Sequence, residues 1–376
     1  MAHIEPRAFY ETLAAHGIDL FVGVPDSLLK EFCAYLLANC PPERNIIAAN
    51  EGNAIGMASG YHIGTGRYAA VYMQNSGLGN AVNPLLSLAD PQVYGIPMLL
   101  IVGWRGEPGV KDEPQHVTQG ELTLPLLETM GIGYTVLDPD DWATEVDRAL
   151  LKVETESKPY ALVIRKDTFS AYKAPTEPTT LALKREDALE VIVENAAPDA
   201  FLVSTTGKTS RELFEIRERR GESHAHDFLT VGSMGHSSSI AMGMCLGTER
   251  LVYCIDGDGA FLMHMGAAAI AAQSARRNLR YIIINNGAHE SVGGQPTVGF
   301  KIDMAQVLEA VGFASVATVA DPAELPEAVR QLTRTDHAAL VIDVAQGSRA
   351  DLGRPTITPM QNKADMMALF AQERDS

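Results

Sequence analysis

Cysteine is scarce in this chain: four residues in 376, Cys33, Cys40, Cys245 and Cys254, none at CxxC spacing. That excludes a disulfide framework and a thiolate zinc site. It makes the four expected core residues of a reducing compartment. Long hydrophobic runs are lacking too. Stretches such as 97–102 fall far short of the ~20 residues that span a bilayer. No basic stretch followed by an apolar one opens the sequence, so no secretory signal and a cytoplasmic location are expected. Positive charge is in deficit, with 30 Lys and Arg against 47 Asp and Glu and a net charge of −17. Neither nucleic acid nor an anionic membrane surface is therefore an expected partner. A small anionic ligand would need a local positive site working against the global field.

What the chain has is core material and rhythm. Its 46% hydrophobic content fills two cores, and its length suits two domains at ~100–200 residues each. Apolar runs at 19–24, 45–49, 68–73, 97–102, 132–137 and 160–165 read as strands. Helical stretches stand between them, apart from a long charged loop expected over 103–120. A second series follows, with strands at 200–204, 228–231, 250–255, 281–284, 313–319 and 338–344. Alternation of this kind predicts an α/β fold of two doubly wound parallel-sheet domains. The expected domains are 1–168 and 186–376. The stretch 169–185, with Pro175 and Pro178 and few large apolar residues, reads as the linker. No residue-level repeat is visible, although both halves keep the same strand–helix rhythm.

Two turns carry the chemistry. Gly257-Asp258-Gly259-Ala260 follows the run ending at Ile255, and Asn285-Asn286-Gly287 follows the run ending at Ile284. A single helix is expected between them, over 261–277, with His264 packed inside it. Both turns then leave the carboxyl ends of strands, on the sheet edge where such folds bind ligands. Asp258 on one and an Asn on the other can reach one cation, and oxygen is what Mg²⁺ takes. The glycines let backbone N–H groups close on an anion. The pattern is that of a diphosphate held by Mg²⁺. A nucleotide P-loop at Gly207-Lys208-Thr209 is disfavoured, because Leu202 stands where its first glycine is needed. A dinucleotide fingerprint at Gly257 is disfavoured by Leu262 in place of the third glycine.

Gly-Asp-Gly and Asn-Asn, with Asp258 and Asn286 28 positions apart, resemble the diphosphate motif of the thiamine diphosphate (ThDP) enzymes. The resemblance implies a pyrimidine-binding domain followed by a diphosphate-binding domain, with ThDP and Mg²⁺ as cofactors. It places at Glu51, in Asn50-Glu51-Gly52-Asn53, the carboxylate that hydrogen-bonds the pyrimidine ring. A helix start behind a buried strand suits that ionised group. It gives Gly232 and Met234 the 4′-amine acceptor and the apolar wedge, and Gly207, Lys208 and Thr209 the outer diphosphate oxygens. Gly257, Gly259 and Ala260 line the inner part. Asp258, Asn286 and the carbonyl of Ala288 ligate Mg²⁺, with Asn285 as the competitor of Asn286.

Most ThDP decarboxylases carry a middle domain, and none is found here. That two-domain build resembles the decarboxylases of pyruvates bearing a phosphonate or a sulfonate. Gly23-Val24-Pro25-Asp26-Ser27-Leu28-Leu29-Lys30, Asp112-Glu113-Pro114-Gln115-His116 and Asn285-Asn286-Gly287-Ala288-His289-Glu290-Ser291 are similar to the phosphonate members. The implied reaction takes 3-phosphonopyruvate to 2-phosphonoacetaldehyde and CO₂, in phosphonate and antibiotic biosynthesis. The rival expectations are the sulfonate substrate and a ThDP carboligase. His116 and His289 are the implied proton-transfer groups, and Asp26 an ordering carboxyl. Arg105, Lys111 and Ser76 are candidates for the substrate's anionic end, Arg suiting a two-pronged contact. The family further implies a homo-oligomer whose active sites are shared between subunits.

Overall fold

Parallel strands buried on both faces need apolar side chains on both, and the runs read above supply them. In the computed structural model, residues 2–175, 179–274 and 277–374 are described. The chain forms two compact units, Met1–Glu177 with Ser291–Gln295, and Pro178–Glu290 with Pro296–Ser376.

The first unit holds a six-stranded sheet of β1 (Leu20–Gly23), β2 (Asn45–Ile47), β3 (Ala69–Gln74), β4 (Leu99–Gly103), β5 (Gly133–Val136) and β6 (Tyr160–Ile164). Its order is β2-β1-β3-β4-β6-β5, and the pairs are parallel. Leu20 and Val22 enter one core while Phe21, between them, enters the other. The second unit holds β7 (Phe201–Ser204), β8 (Asp227–Leu229), β9 (Val252–Gly257), β10 (Leu279–Asn285), β11 (Ser315–Val319) and β12 (Ala338–Asp343). Its order, β11-β12-β10-β9-β7-β8, read from the other end is that of the first sheet. Both halves are thus one topology, doubly wound, with strand order reversing beside β1 and beside β7.

Phe169 bridges Ile4, and Lys184 bridges Ala345. Each end of the stretch expected as a linker is therefore tied to its own unit, while Pro178 lies outside the described residues. The amino edge of the second sheet is closed by Arg280, fully buried, with its guanidinium on the carbonyls of Arg277 and Thr333 at 2.6 and 3.1 Å. Beside it Asn278 spans the carbonyls of Thr248 and Arg250 at 2.8 and 3.0 Å. The four cysteines are free and buried, as expected. Among the described residues no helix is long and apolar enough to cross a membrane.

Two expectations are corrected. The charged loop ends early, because a helix runs Pro114–Thr129. Pro114 is its first residue, where the fixed φ suits the turn and the missing N–H would have had no partner. His116 therefore sits on a helix. The single helix expected over 261–277 is two, Asp258–Met263 and Gly266–Gln273. His264 leaves helical geometry between them (φ −134°, ψ 47°) and packs on the ring of His236 at 4.5 Å.

Candidate functional site

In the first unit the candidate side chains hang from the carboxyl ends of β1, β2, β3 and β4. After β2, Asn50 caps the helix Glu51–Thr65 by accepting from Asn53 N at 2.9 Å. Glu51 is thereby the first helical residue, and it is only 5% exposed. Asn80 Nδ2 donates to its Oε2 at 2.8 Å. Gly77 lies so close that a Cβ there would meet the Glu51 carboxyl carbon at 2.6 Å.

After β1, Asp26 is fully buried. Leu28 N donates to its Oδ2 at 3.0 Å and Gln74 Nε2 to its Oδ1 at 2.7 Å. Burial pushes the Asp26 carboxyl up, against the pull of Gln74, Leu28 and Arg105. Ser76 donates to Gln74 Oε1 at 2.7 Å, so Ser76, Gln74 and Asp26 form one chain of hydrogen bonds. Arg105 Nη1 donates to Ser27 Oγ at 2.8 Å, and its Nε to Asp112 Oδ2 at 2.8 Å. Nη2 completes a fork on Asp112. Burial alone would raise the Asp112 carboxyl; the fork and the N–H groups of Glu113 and Gly106 hold it far below the usual range. His116 is buried, and burial together with the charge of Arg105 lowers its imidazole. Arg105 and His116 are brought together, whereas Lys111 stays exposed.

In the second unit the sheet register sets Ile284 beside Gly257. Asp258 and Asn285–Asn286 consequently leave neighbouring strands side by side. Asp258 is 2% exposed. Burial pushes its carboxyl up to about 6, with the Thr297 hydroxyl and backbone N–H groups pulling the other way. Asn285 donates to Asp343 Oδ1 at 2.8 Å and to the Gly299 carbonyl at 3.3 Å. Gly299 leaves no room for a side chain, since a Cβ would press on Asn285 Oδ1 and lie 2.9 Å from Asp258 Oδ2. Asn286 Oδ1 accepts from Ala288 N at 3.1 Å, and its Nδ2 donates to Glu290 at 2.9 Å.

Gly207, at φ 100° and ψ −138°, caps the helix Lys208–Arg220 in a backbone conformation that glycine alone adopts readily. Thr209 is buried in the first turn. Lys208 Nζ reaches Glu290 Oε1 at 2.8 Å. Burial would raise the Glu290 carboxyl, but Arg185 and Lys208 hold it down to about 2. The loop Gly232-Ser233-Met234-Gly235 has Ser233 and Gly235 left-handed, at φ 52° and 83°. It brings Met234 to Gly259: a Cβ at 259 would lie 3.3 Å from Met234 Cε and 3.0 Å from His289 Nδ1. Ala260 is buried, and its carbonyl lies against Gly235. Burial pushes the His289 imidazole down to about 4, so it is neutral near pH 7.

Gln74, Gly77, Asn80 and Arg185 were not singled out by sequence, and Asp112 and Glu290 stood there only within longer motifs, without a role. Asp112 had a signal, an acid seven positions from Arg105 in the same loop. Arg185 had none, because its partner Glu290 is 105 positions away.

Residues 6–126 match the N-terminal TPP binding domain of the thiamine pyrophosphate enzymes, and residues 205–344 match the C-terminal TPP binding domain. Two such domains in this order, on two matching sheets, define a thiamine diphosphate enzyme. The phosphonopyruvate decarboxylase of Streptomyces hygroscopicus is 34% identical over 92% of this chain and 89% of its own length. That of Streptomyces viridochromogenes is 33% identical over 93% and 90%. The sulfopyruvate decarboxylase of Methanosarcina acetivorans is 28% identical over 85% and 86%. The chain belongs to the phosphonopyruvate decarboxylase family.

Proposed function

We propose that this chain decarboxylates 3-phosphonopyruvate to 2-phosphonoacetaldehyde and CO₂, using ThDP and Mg²⁺, in phosphonate biosynthesis of the kind that feeds antibiotics. The observation that carries the substrate is similarity along nearly the whole length of two phosphonopyruvate decarboxylases, higher than to the sulfopyruvate enzyme.

The residues fit the cofactors. Asp258 is a buried carboxyl whose ionisation is opposed by burial, and a divalent cation would reverse that. Among the described residues no three His, Cys, Asp or Glu side chains gather as a metal cluster. A hard cation here must therefore use amide and carbonyl oxygens as well. Asp258, Asn286 and the Ala288 carbonyl would hold it. Asn286 is favoured over Asn285 by the family's pattern, and Asn285 already spends its amide donors on Asp343 and the Gly299 carbonyl. The helix start at Gly207, Lys208 and Thr209 offers N–H groups and a cation to the diphosphate. Gly257, Gly259 and Ala260 would line its inner side, with Met234 as the apolar wedge behind the rings and the Gly232 carbonyl as the acceptor for the 4′-amine.

ThDP, when bound, supplies the sink for the electron pair left as CO₂ departs. Glu51, held by Asn80 and Gly77, offers a fixed carboxylate to the pyrimidine nitrogen. His289, neutral near pH 7, accepts or passes a proton. Asp26, with its raised carboxyl, and His116 order the reacting end. Arg105, whose fork rests on Asp112, is the cation for the phosphonate, with Ser76 at the neighbouring strand end and the exposed Lys111 farther along the same loop. The protein acts as a cytoplasmic homo-oligomer with shared sites. In support, the helix that begins at Glu51 carries Gly56, Gly60 and Gly64 with open space where side chains would be, and Ile63 is 70% exposed.

The test is CO₂ release from phosphonopyruvate, sulfopyruvate and pyruvate, each with and without ThDP and Mg²⁺. Cofactor-dependent turnover, fastest on phosphonopyruvate with phosphonoacetaldehyde formed, is expected. Preference for sulfopyruvate would replace the substrate. No turnover on any of the three, with ThDP bound, would overturn the reading.

A further inference from the structure

Glu290 stands four residues past Asn286 and collects three donors. Oε1 accepts from Lys208 Nζ at 2.8 Å. Oε2 accepts from Arg185 Nη1 at 2.7 Å and from Asn286 Nδ2 at 2.9 Å. Arg185 forks on Glu212 with its other nitrogens, at 2.7 and 2.8 Å. The Glu290 side chain is only 11% exposed. One carboxylate thus joins the Asn286–Ala288 turn, the start of the helix Lys208–Arg220 and the start of the helix Arg185–Asn195.

The two ends of a carboxamide have nearly the same shape, but one donates and the other accepts. A carboxylate only accepts. Glu290 therefore selects the NH₂ end of Asn286 and turns Oδ1 away from itself, toward Ala288 N. Oδ1 is the end that a hard cation requires. A glutamine at 290 could offer Asn286 a donor as well as an acceptor, would leave the Ala288 N–H alone to hold the amide this way round, and would leave Lys208 and Arg185 facing each other without their shared anion.

We infer that Glu290 is a positioning residue for the cation and diphosphate site: it fixes the amide of Asn286 with Oδ1 turned from Glu290 to the Ala288 side of the turn, and it holds the Lys208 ammonium at the helix start. The inference rests on the reading of Asp258 and Asn286 as the Mg²⁺ site. Groups that orient metal ligands from behind typically change affinity by about 10–100-fold when removed.

The experiment is a Mg²⁺ titration at saturating ThDP, followed by calorimetry and by near-ultraviolet circular dichroism, on the parent protein and on Glu290→Gln, Glu290→Asp and Asp258→Ala. Glu290→Gln should raise the apparent Kd for Mg²⁺ by about 10–100-fold. Glu290→Asp keeps the charge but is one methylene short of spanning Lys208 and Asn286, and should fall in between. Parent-like Mg²⁺ affinity in the Gln variant overturns the inference. Should the Gln variant not fold, the Asp variant decides: several-fold weaker binding supports the role and parent-like binding removes it. Asp258→Ala separates the two layers. Parent-like binding there would overturn the site itself. Its loss beside parent-like Glu290 variants would keep the site and discard the role of Glu290.

Discussion

Gly77→Ala tests whether Glu51 is held by fit. Gly77 has φ −72° and ψ −16°, a conformation alanine adopts freely. On backbone grounds alone the change should stabilise the fold by about 0.4–1 kcal/mol. The added Cβ, however, would lie 2.5 Å from Glu51 Cγ and 2.6 Å from its Cδ. Ordinary carbon contacts need about 3.5 Å, so the carboxylate must retreat by roughly 1 Å. Overpacking of that kind costs about 1–3 kcal/mol. The bond from Asn80, at 2.8 Å, would stretch or break, and hydrogen bonds to charged groups contribute about 1.5–3 kcal/mol. With the bond broken the balance is a loss of roughly 1.5–5.5 kcal/mol, or several degrees in Tm for a chain of this size. A misplacement of about 1 Å in a reacting group costs on the order of 100-fold in rate. Thermal unfolding and CO₂ release should therefore fall together. In a Glu51→Ala background the obstacle is gone, and Gly77→Ala should become neutral or stabilising. Equal effects on Tm in both backgrounds, or parent-like turnover in the single variant, would refute the reasoning.

His289 gives a pH signature. Burial lowers it to about 4, below the ~6.5 of an unfolded histidine, so between those values the unfolded chain binds more protons. Stability should rise with pH through that window, by at most about 3 kcal/mol, and be lost on acidification. His289→Asn should flatten this part of a urea-unfolding series; parallel curves would refute it. Sharing of sites is read from mixed subunits. Glu51→Ala and Asp258→Ala should each be inactive alone, while co-expressed heteromers should recover up to about a quarter of parent activity, because half of randomly mixed dimers keep one intact site. No recovery would count against shared sites.

The strand ends were legible because they follow runs that only a doubly buried parallel strand explains. The stretches before Gly257 and Asn285 are such runs, and they pair as neighbours. The start of the helix Pro114–Thr129 was hidden because its first turn is polar and Gly120 interrupts the helical signature before the apolar stretch begins at Leu122. The break at His264 goes with tertiary packing against His236, which no local propensity records. The supports behind the candidate residues were the least legible. Asn80 reaches Glu51 across 29 positions and Arg185 reaches Glu290 across 105, and neither pair leaves a periodic trace.

The closed amino edge of the second sheet has an engineering consequence. Arg280 sets both of its Nη atoms, and Asn278 its Nδ2, on backbone carbonyls there, at the opposite ends of the strands from Asp258 and Asn286. Resilience and turnover are thus written on separate margins of the same sheet. A catalyst adapted to heat or solvent can be rebuilt along one margin while the other is left as inherited.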